Sequence, residues 1–207
     1  MQERAAKTRQ AVLEAAAEEF AERGYEGASL QRVAWRAATS IGSLTFHFGP
    51  KTVLAEEVFT AGRARFGCLE GLAAAADPLR GLCTLISCLA RLAHEDTFVR
   101  AARRLEADRP KGAPPLAEAW LPVLRGLLDR ACGADRLRAG VSPEDALTLL
   151  GHLAEGAMAA DDATRESVWD SVWDVVLYGL AADRPGRADR ADRADRAGSM
   201  WCESELT

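Results

Sequence analysis

From Lys7 to Arg23 the apolar positions Val12, Leu13, Ala16, Ala17 and Phe20 recur at the three- and four-residue spacing of one helix face, with glutamates on the other side and Gly24 as the stop. The turn GYEGAS follows. Its Ser29 is placed to cap a second helix, about Leu30 to Ala37, by accepting a bond from a free backbone amide, and that helix buries Leu30, Val33 and Ala34. Thr39 and Ser40 interrupt the pattern, and either hydroxyl can cap a short third helix whose Leu44 and Phe48 are inward anchors four residues apart. Gly49-Pro50 ends that helix, because proline lacks an amide hydrogen and disfavours helical geometry in the residue before it; Lys51 opens the next. Further helices are predicted over about 52–70, 78–93, 97–109, 115–132, 143–161 and 164–182. Their starts are marked by Asp77-Pro78, Asp96, Pro114-Pro115 and Ser142-Pro143 with Asp145. No segment alternates convincingly as a strand does, so the predicted fold is all-α: a three-helix head followed by a helical bundle.

Two changes in composition divide the chain. The helix predicted over 164–182 holds Val168, Trp169, Val172, Trp173, Val176, Leu177 and Leu180, which with the Ala/Leu/Gly-rich 143–161 segment suits close helix packing. Beyond Asp183 the run RPGRADRADRADRAG has no large apolar residue to drive ordering by burial, so 184–207 is expected to be a disordered charged tail. The expected domains are a head at 1–51, a bundle at 52–183 and the tail. With 207 residues, 48% of them hydrophobic, the chain can bury a core unaided. The N-terminal MQERAAKTRQ lacks the apolar core of a signal peptide, and no segment reaches the roughly 20 apolar residues of a membrane span, which points to a cytoplasmic protein. Five cysteines without a CxxC pair read as reduced thiols rather than a disulfide framework or zinc knuckle.

A net charge of −5 argues against a protein that coats nucleic acid indiscriminately. Residues 23–51, however, carry Arg23, Arg32, Arg36 and Lys51 against Glu26, a local +3. Two short helices joined by a tight turn and braced by a longer one match a helix-turn-helix, whose second helix enters the DNA major groove. On that reading Arg32 and Lys51 hold phosphates, and Ser40, Ile41, Ser43 and Thr45 face the bases, the Thr and Ile methyls being suited to a thymine methyl. The plainer alternative is that Ser40, Ser43 and Thr45 only cap and solubilise a short helix. His47, between two phenylalanines, reads either as a packed residue with one nitrogen bonded locally or as a phosphate contact, and the two are compatible.

Residues 11–54, AVLEAAAEEFAERGYEGASLQRVAWRAATSIGSLTFHFGPKTVL, resemble the N-terminal signature of the TetR family of one-component regulators. Glycine, aromatics, cap and lysine fall in register. The resemblance implies that Ser29, His47 and Lys51 contact phosphates or brace the reading helix and that Ser43 lies in its base-reading portion. Three positions depart from the family pattern: Ala38 replaces the usual turn Gly, Ile41 a common Lys, and Thr45 a phosphate-contacting Tyr. The segments GSLTFHF, VRAARRLEADRP, PPLAEAW and LRAGVSPEDA look like the butyrolactone-type autoregulator receptors of actinomycetes, repressors released by a small lactone or furan. That likeness places Trp120 in a ligand cavity, where an indole offers an apolar face and one donor, and Thr84, Ser87 and His152 could add polar points. It also implies a homodimer on operator DNA, with reading heads about one turn, ~34 Å, apart and Trp169 and Trp173 as candidate interface residues.

Two other classes of protein compare less well with this sequence. An enzyme is disfavoured: the HED at 94–96 points its side chains in different directions, Asp96 suits a helix cap, and no Gly-rich phosphate loop, nucleophile elbow or carboxylate pair appears, so no catalytic residue, metal or cofactor is expected. A ligand-blind regulator or interaction protein with weakened DNA binding is kept open by Ile41 and Thr45.

Overall fold

Among the residues that the computed structural model describes (2–108, 114–160, 172, 175, 176 and 179–181), eight α-helices and two 3₁₀ segments account for most of the backbone. Helix α1 (Gln2–Gly27) leads to α2 (Leu30–Arg36) and α3 (Ile41–Phe48), and α4 (Lys51–Ala64) runs into a 3₁₀ segment, Arg65–Ala74. Then come α5 (Pro78–Glu95), α6 (Thr97–Ala107), a 3₁₀ turn at Leu116–Ala119, α7 (Leu121–Gly133) and α8 (Pro143–Ala159). The all-α expectation is met; the extended pairing among the described residues is one isolated bridge between Leu137 and Ala181. No described helix is long and apolar enough to cross a membrane.

The helices form two compact units, and the first is discontinuous in sequence: Met1–Gly67 with Leu92–Ala119. Its core gathers Val12, Ala16 and Phe20 of α1, Val33 of α2, Leu44 and Phe48 of α3, Leu54 and Val58 of α4, and Val99 and Ala102 of α6, all buried. Asp96 starts α6 as predicted, its Oδ1 accepting the amides of Phe98 (2.9 Å) and Val99 (3.0 Å) while Oδ2 lies 3.4 Å from Arg65 Nε. Gly62 lets α4 and α6 meet, because a Cβ there would collide with the Phe98 carbonyl oxygen. The far end of α6 reaches the break in α1. Gly24 adopts φ 66 and ψ −175, ending the regular helix where the sequence placed its stop, and the freed Tyr25 amide donates to Asp108 Oδ2 at 2.9 Å.

The second unit joins Cys68–Arg91 to the residues from Trp120 onward. Leu82, Leu85, Ile86 and Leu89 of α5 and Leu124, Leu127 and Leu128 of α7 are buried here. Gly81 has no room for a Cβ, which would stand 2.7 Å from Leu127 Cδ2. Arg130 donates to the carbonyls of Ala73 and Ala75, closing the end of the 3₁₀ segment. Helix α8 opens on Ser142, whose hydroxyl accepts the Asp145 amide (3.2 Å), and buries Ala146, Leu150, Ala154 and Ala157.

Three local expectations change. The helix predicted over 52–70 leaves α geometry at Arg65, in a stretch where Gly67 and Gly71 weaken helical propensity. The one predicted over 115–132 is split, because Pro122 lacks an amide hydrogen and its ring would strike the carbonyl four residues back; it fits only in the first turn of α7. The start of α2 differs too: Ser29 sits at its N-cap without capping it by its side chain, and Leu30 is half-buried rather than buried, because it lies at the exposed end of the helix's inward stripe of Val33 and Ala34. The helix predicted over 164–182 and the 184–207 tail lie, apart from a few positions, outside the described residues.

Between α2 and α3 the chain turns through Ala38 at φ 48, a left-handed conformation that costs a side-chain-bearing residue about 1–2 kcal/mol. Ala38→Gly is expected to stabilise the protein by roughly 0.5–1 kcal/mol, the relief of strain exceeding the entropy glycine adds to the unfolded chain, as measured by urea denaturation.

Candidate nucleic-acid interface

The turn between α2 and α3 is closed by Ala38 N–H to Trp35 O (3.1 Å) and Thr39 N–H to Ala34 O (3.0 Å). Ser40 then caps α3, its Oγ accepting the Ser43 amide at 3.1 Å. With Leu44 and Phe48 buried as anchors, Gly42 and Phe46 (85% exposed) lie on the side of α3 turned away from them, and Ile41 (45% exposed) and Thr45 stay exposed beside the anchor stripe. Ser43 and His47 lie half-buried on its flank. Trp35 of α2, which the sequence reading did not single out, is 82% exposed.

What holds this head in shape is a buried carboxylate. Glu19 of α1 is fully buried, and its Oε1 accepts from the Ser29 amide (3.2 Å) and Arg32 Nε (2.5 Å), while Arg23 and Arg36 each come within 3.7 Å of the carboxylate. Glu19 Oε2 is buried without a hydrogen-bond partner among the described residues, so the charge depends on these guanidinium groups. Only the carboxylate is buried, so it is loss of the arginines around it, not of Glu19 itself, that would leave an uncompensated buried charge and destabilise the head. The sequence reading put all the α1 glutamates on the solvent face; Glu19, three and four residues after buried Ala16 and Ala15, belongs to the core stripe instead.

Arg36 donates to Glu18 (3.1 Å) and Glu22 (2.6 Å). The hydrogen bond from Arg36 holds the Glu22 carboxyl below its ordinary pKa, and the same contacts raise that of Arg36. The pairing is therefore complete above the ordinary carboxylate range and is lost as pH falls through the lowered Glu22 value. These contacts correct the local charge. Counted from Glu18 to Lys51, four basic residues meet four acidic ones and the surplus vanishes, because α1 packs its carboxylates against the arginines of α2.

The predicted contacts are accordingly in different states. Arg32 is exposed but tied to Glu19 and to the Gly27 carbonyl. Lys51 lies over the Tyr25 ring (4.6 Å) and reaches the Glu26 carbonyl (3.5 Å), neither of which cancels its charge. The Ser29 hydroxyl makes no cap bond. His47 meets Phe46 edge-on, with ring centroids 5.4 Å apart, and neither ring nitrogen has a hydrogen-bond partner among the described residues, rather than the one local bond expected. The Thr45 hydroxyl turns back on its own helix, 3.0 Å from the Ile41 carbonyl and 3.1 Å from that of Gly42. In the second unit Trp120 is buried, and its indole nitrogen has no hydrogen-bond partner among the described residues. Thr84 is half-buried and donates to the Arg80 carbonyl, Ser87 is exposed, and His152 is exposed with Nδ1 2.7 Å from the Thr148 carbonyl. Trp169 and Trp173 lie outside the described residues.

A capped, anchored short helix following a tight turn and presented on a three-helix head is the architecture of a helix-turn-helix regulator. Residues 12–58 match the family of bacterial regulatory proteins designated tetR. A solved structure described as the molecular basis for control of antibiotic production by bacterial hormones is 31% identical, with 85% of this chain and 98% of that one covered at a TM-score of 0.71. CprB from Streptomyces coelicolor, in complex with its biological operator sequence, is 25% identical over 91% of this chain and 94% of its own at a TM-score of 0.70. A gamma-butyrolactone receptor (ArpA-like protein) shares the fold at 22% identity, 92% and 97% coverage and a TM-score of 0.77. No curated protein matches the sequence. The chain belongs to the tetR family: it is a DNA-binding regulator of transcription, not an enzyme.

Gly42 has open space around it, Ser40 Oγ at 3.9 Å being the one described atom near where a Cβ would stand, so packing among the described residues does not require glycine there. Gly42→Ala is expected to stabilise the fold by roughly 0.5–1 kcal/mol through helix propensity while weakening binding to DNA that must approach the backbone closely; thermal melts and gel shifts should move in opposite directions. Lys51→Ala should weaken binding to all sequences alike and reduce the slope of log K against log salt by about 1 per head, whereas Arg36→Ala, whose charge is already neutralised, should leave that slope unchanged.

Proposed function

We propose that this protein is a homodimeric, cytoplasmic repressor that leaves its operator when a small lactone- or furan-type signal binds residues of the 52–183 bundle. Phosphates are held by Lys51, His47 and Ser29, bases face Ser40, Ile41, Ser43 and Thr45, and Arg32 serves chiefly to brace α2 through Glu19. Trp169 and Trp173 contribute to the subunit interface, setting two heads about one DNA turn, ~34 Å, apart. An effector that favours a different spacing weakens operator binding by its differential affinity for the two arrangements, typically about 1–3 kcal/mol.

The observation that carries the effector half of this reading is Trp120, whose indole N–H is buried with no hydrogen-bond partner among the described residues. A buried donor without an acceptor costs about 1–3 kcal/mol, and a ligand carbonyl beside the ring would recover it. The relatives support the same reading, one described with bacterial hormones that control antibiotic production and another as a gamma-butyrolactone receptor. A second reading, a ligand-blind regulator or interaction protein with weakened DNA binding, rests on Ile41 and Thr45, and the neutralised arginines of the head support its weakened DNA binding.

Selection of bound duplexes from a random pool, repeated with a panel of small lactones and furans, separates the two. The first reading expects a two-fold symmetric site whose retention is abolished by at least one compound, and Trp120→Phe, which keeps the ring but removes the donor, should bind DNA normally yet need roughly tenfold more of that compound. Retention indifferent to every compound would favour the ligand-blind alternative.

A further inference from the structure

The reading helix, IGSLTFHF, contains no Arg, Lys, Asn, Gln, Asp or Glu. It therefore lacks every side chain that pairs with guanine or adenine through two hydrogen bonds or accepts from cytosine. Its remaining polar groups are partly committed: the Ser40 oxygen accepts the Ser43 amide, and the Thr45 hydroxyl faces the Ile41 and Gly42 carbonyls. Beside Thr45, whose hydroxyl is turned back on the helix, the exposed side chains of α3 are apolar, Ile41 at 45% and Phe46 at 85% exposure, and between them Gly42 has no side chain to hold the backbone away from whatever α3 is laid against.

An exposed isoleucine and phenylalanine on a head whose core is otherwise filled gain most from an apolar partner. In the major groove a base pair presents one apolar group, the C5-methyl of thymine, with the same methyl on a modified cytosine as its equivalent. We infer that this regulator distinguishes its operator chiefly by C5-methyl contacts, with a thymine methyl of each half-site packed against Ile41 and another, or the sugar edge beside it, against Phe46. Ser40 and Ser43 add single hydrogen bonds that orient the helix without deciding between purines. Because the arginines nearby are held by carboxylates, little nonspecific attraction masks this contribution, and Ile41 becomes a specificity-determining residue rather than a lost phosphate contact.

This inference rests on the operator-binding reading above, and the experiment separates the two. Operator duplexes recovered with the full-length protein are resynthesised with deoxyuridine in place of one thymidine at a time, which removes the methyl and leaves base pairing intact. Binding is expected to fall about fourfold at one or two positions in each half-site, the worth of one buried methyl group. Ile41→Ala should bind the thymidine and deoxyuridine duplexes equally at its position, and 5-methylcytosine there should outperform cytosine with the original protein but not with the variant. If a fully deoxyuridine operator is bound as tightly as the thymidine one and still preferred over scrambled DNA, methyl reading is overturned while operator binding stands. If no duplex is preferred over any other from the outset, both are overturned.

Discussion

The head of this protein is organised around a single buried negative charge. Glu19 satisfies the amide at the start of α2, pins Arg32 on that helix and draws Arg36 toward α1, with Arg23 of α1 itself alongside, so the orientation of α2 follows from the position of one carboxylate. Desolvating that carboxylate is costly, and the surrounding guanidinium groups are what make it tolerable. Helix α3 inherits its placement from α2 through a turn of four residues, one of them the strained Ala38. The exposed surface of α3 is thus positioned by a charge buried beneath it.

The same arrangement sets the electrostatics of the interface. A helix-turn-helix commonly grips DNA through cations at the edges of its reading helix. Here the arginines available for that purpose are occupied in holding the fold together, and Lys51, over Tyr25, has no carboxylate paired with it among the described residues. The face between these edges is short, small and apolar, with Gly42 at its centre. On the proposed reading, close approach and methyl contact take the place of long-reach charge.

Helix α6 belongs to the same unit as the head although some 50 residues separate it in sequence from α3. It is fixed at both ends, by Phe98 against Gly62 near its start and by Asp108 on the Tyr25 amide near its finish. Both attachments need a glycine, one for close packing and one for a backbone break. A displacement of α6 would be felt at α4 and at the kink of α1 together, since neither contact has slack to absorb it.

Much of this was legible in the linear pattern. The helical spacing in α1, the Leu44–Phe48 anchors, the Ser40, Asp96 and Ser142 caps and the Gly24 stop are local features, and residues three or four apart on a helix meet whatever the rest of the chain does. The register of the reading helix, and hence the absence of any two-bond base reader in it, was likewise present in eight consecutive residues. Charge pairing was not legible, because Glu18, Glu19 and Glu22 meet Arg32 and Arg36 across 13 to 18 positions, and counting within a window of sequence splits partners that the fold brings together. The burial of Glu19, the recruitment of α6 to the head and the unpartnered indole of Trp120 belong to the same class: each depends on which surfaces two distant segments present to one another, and that is decided only when the helices pack.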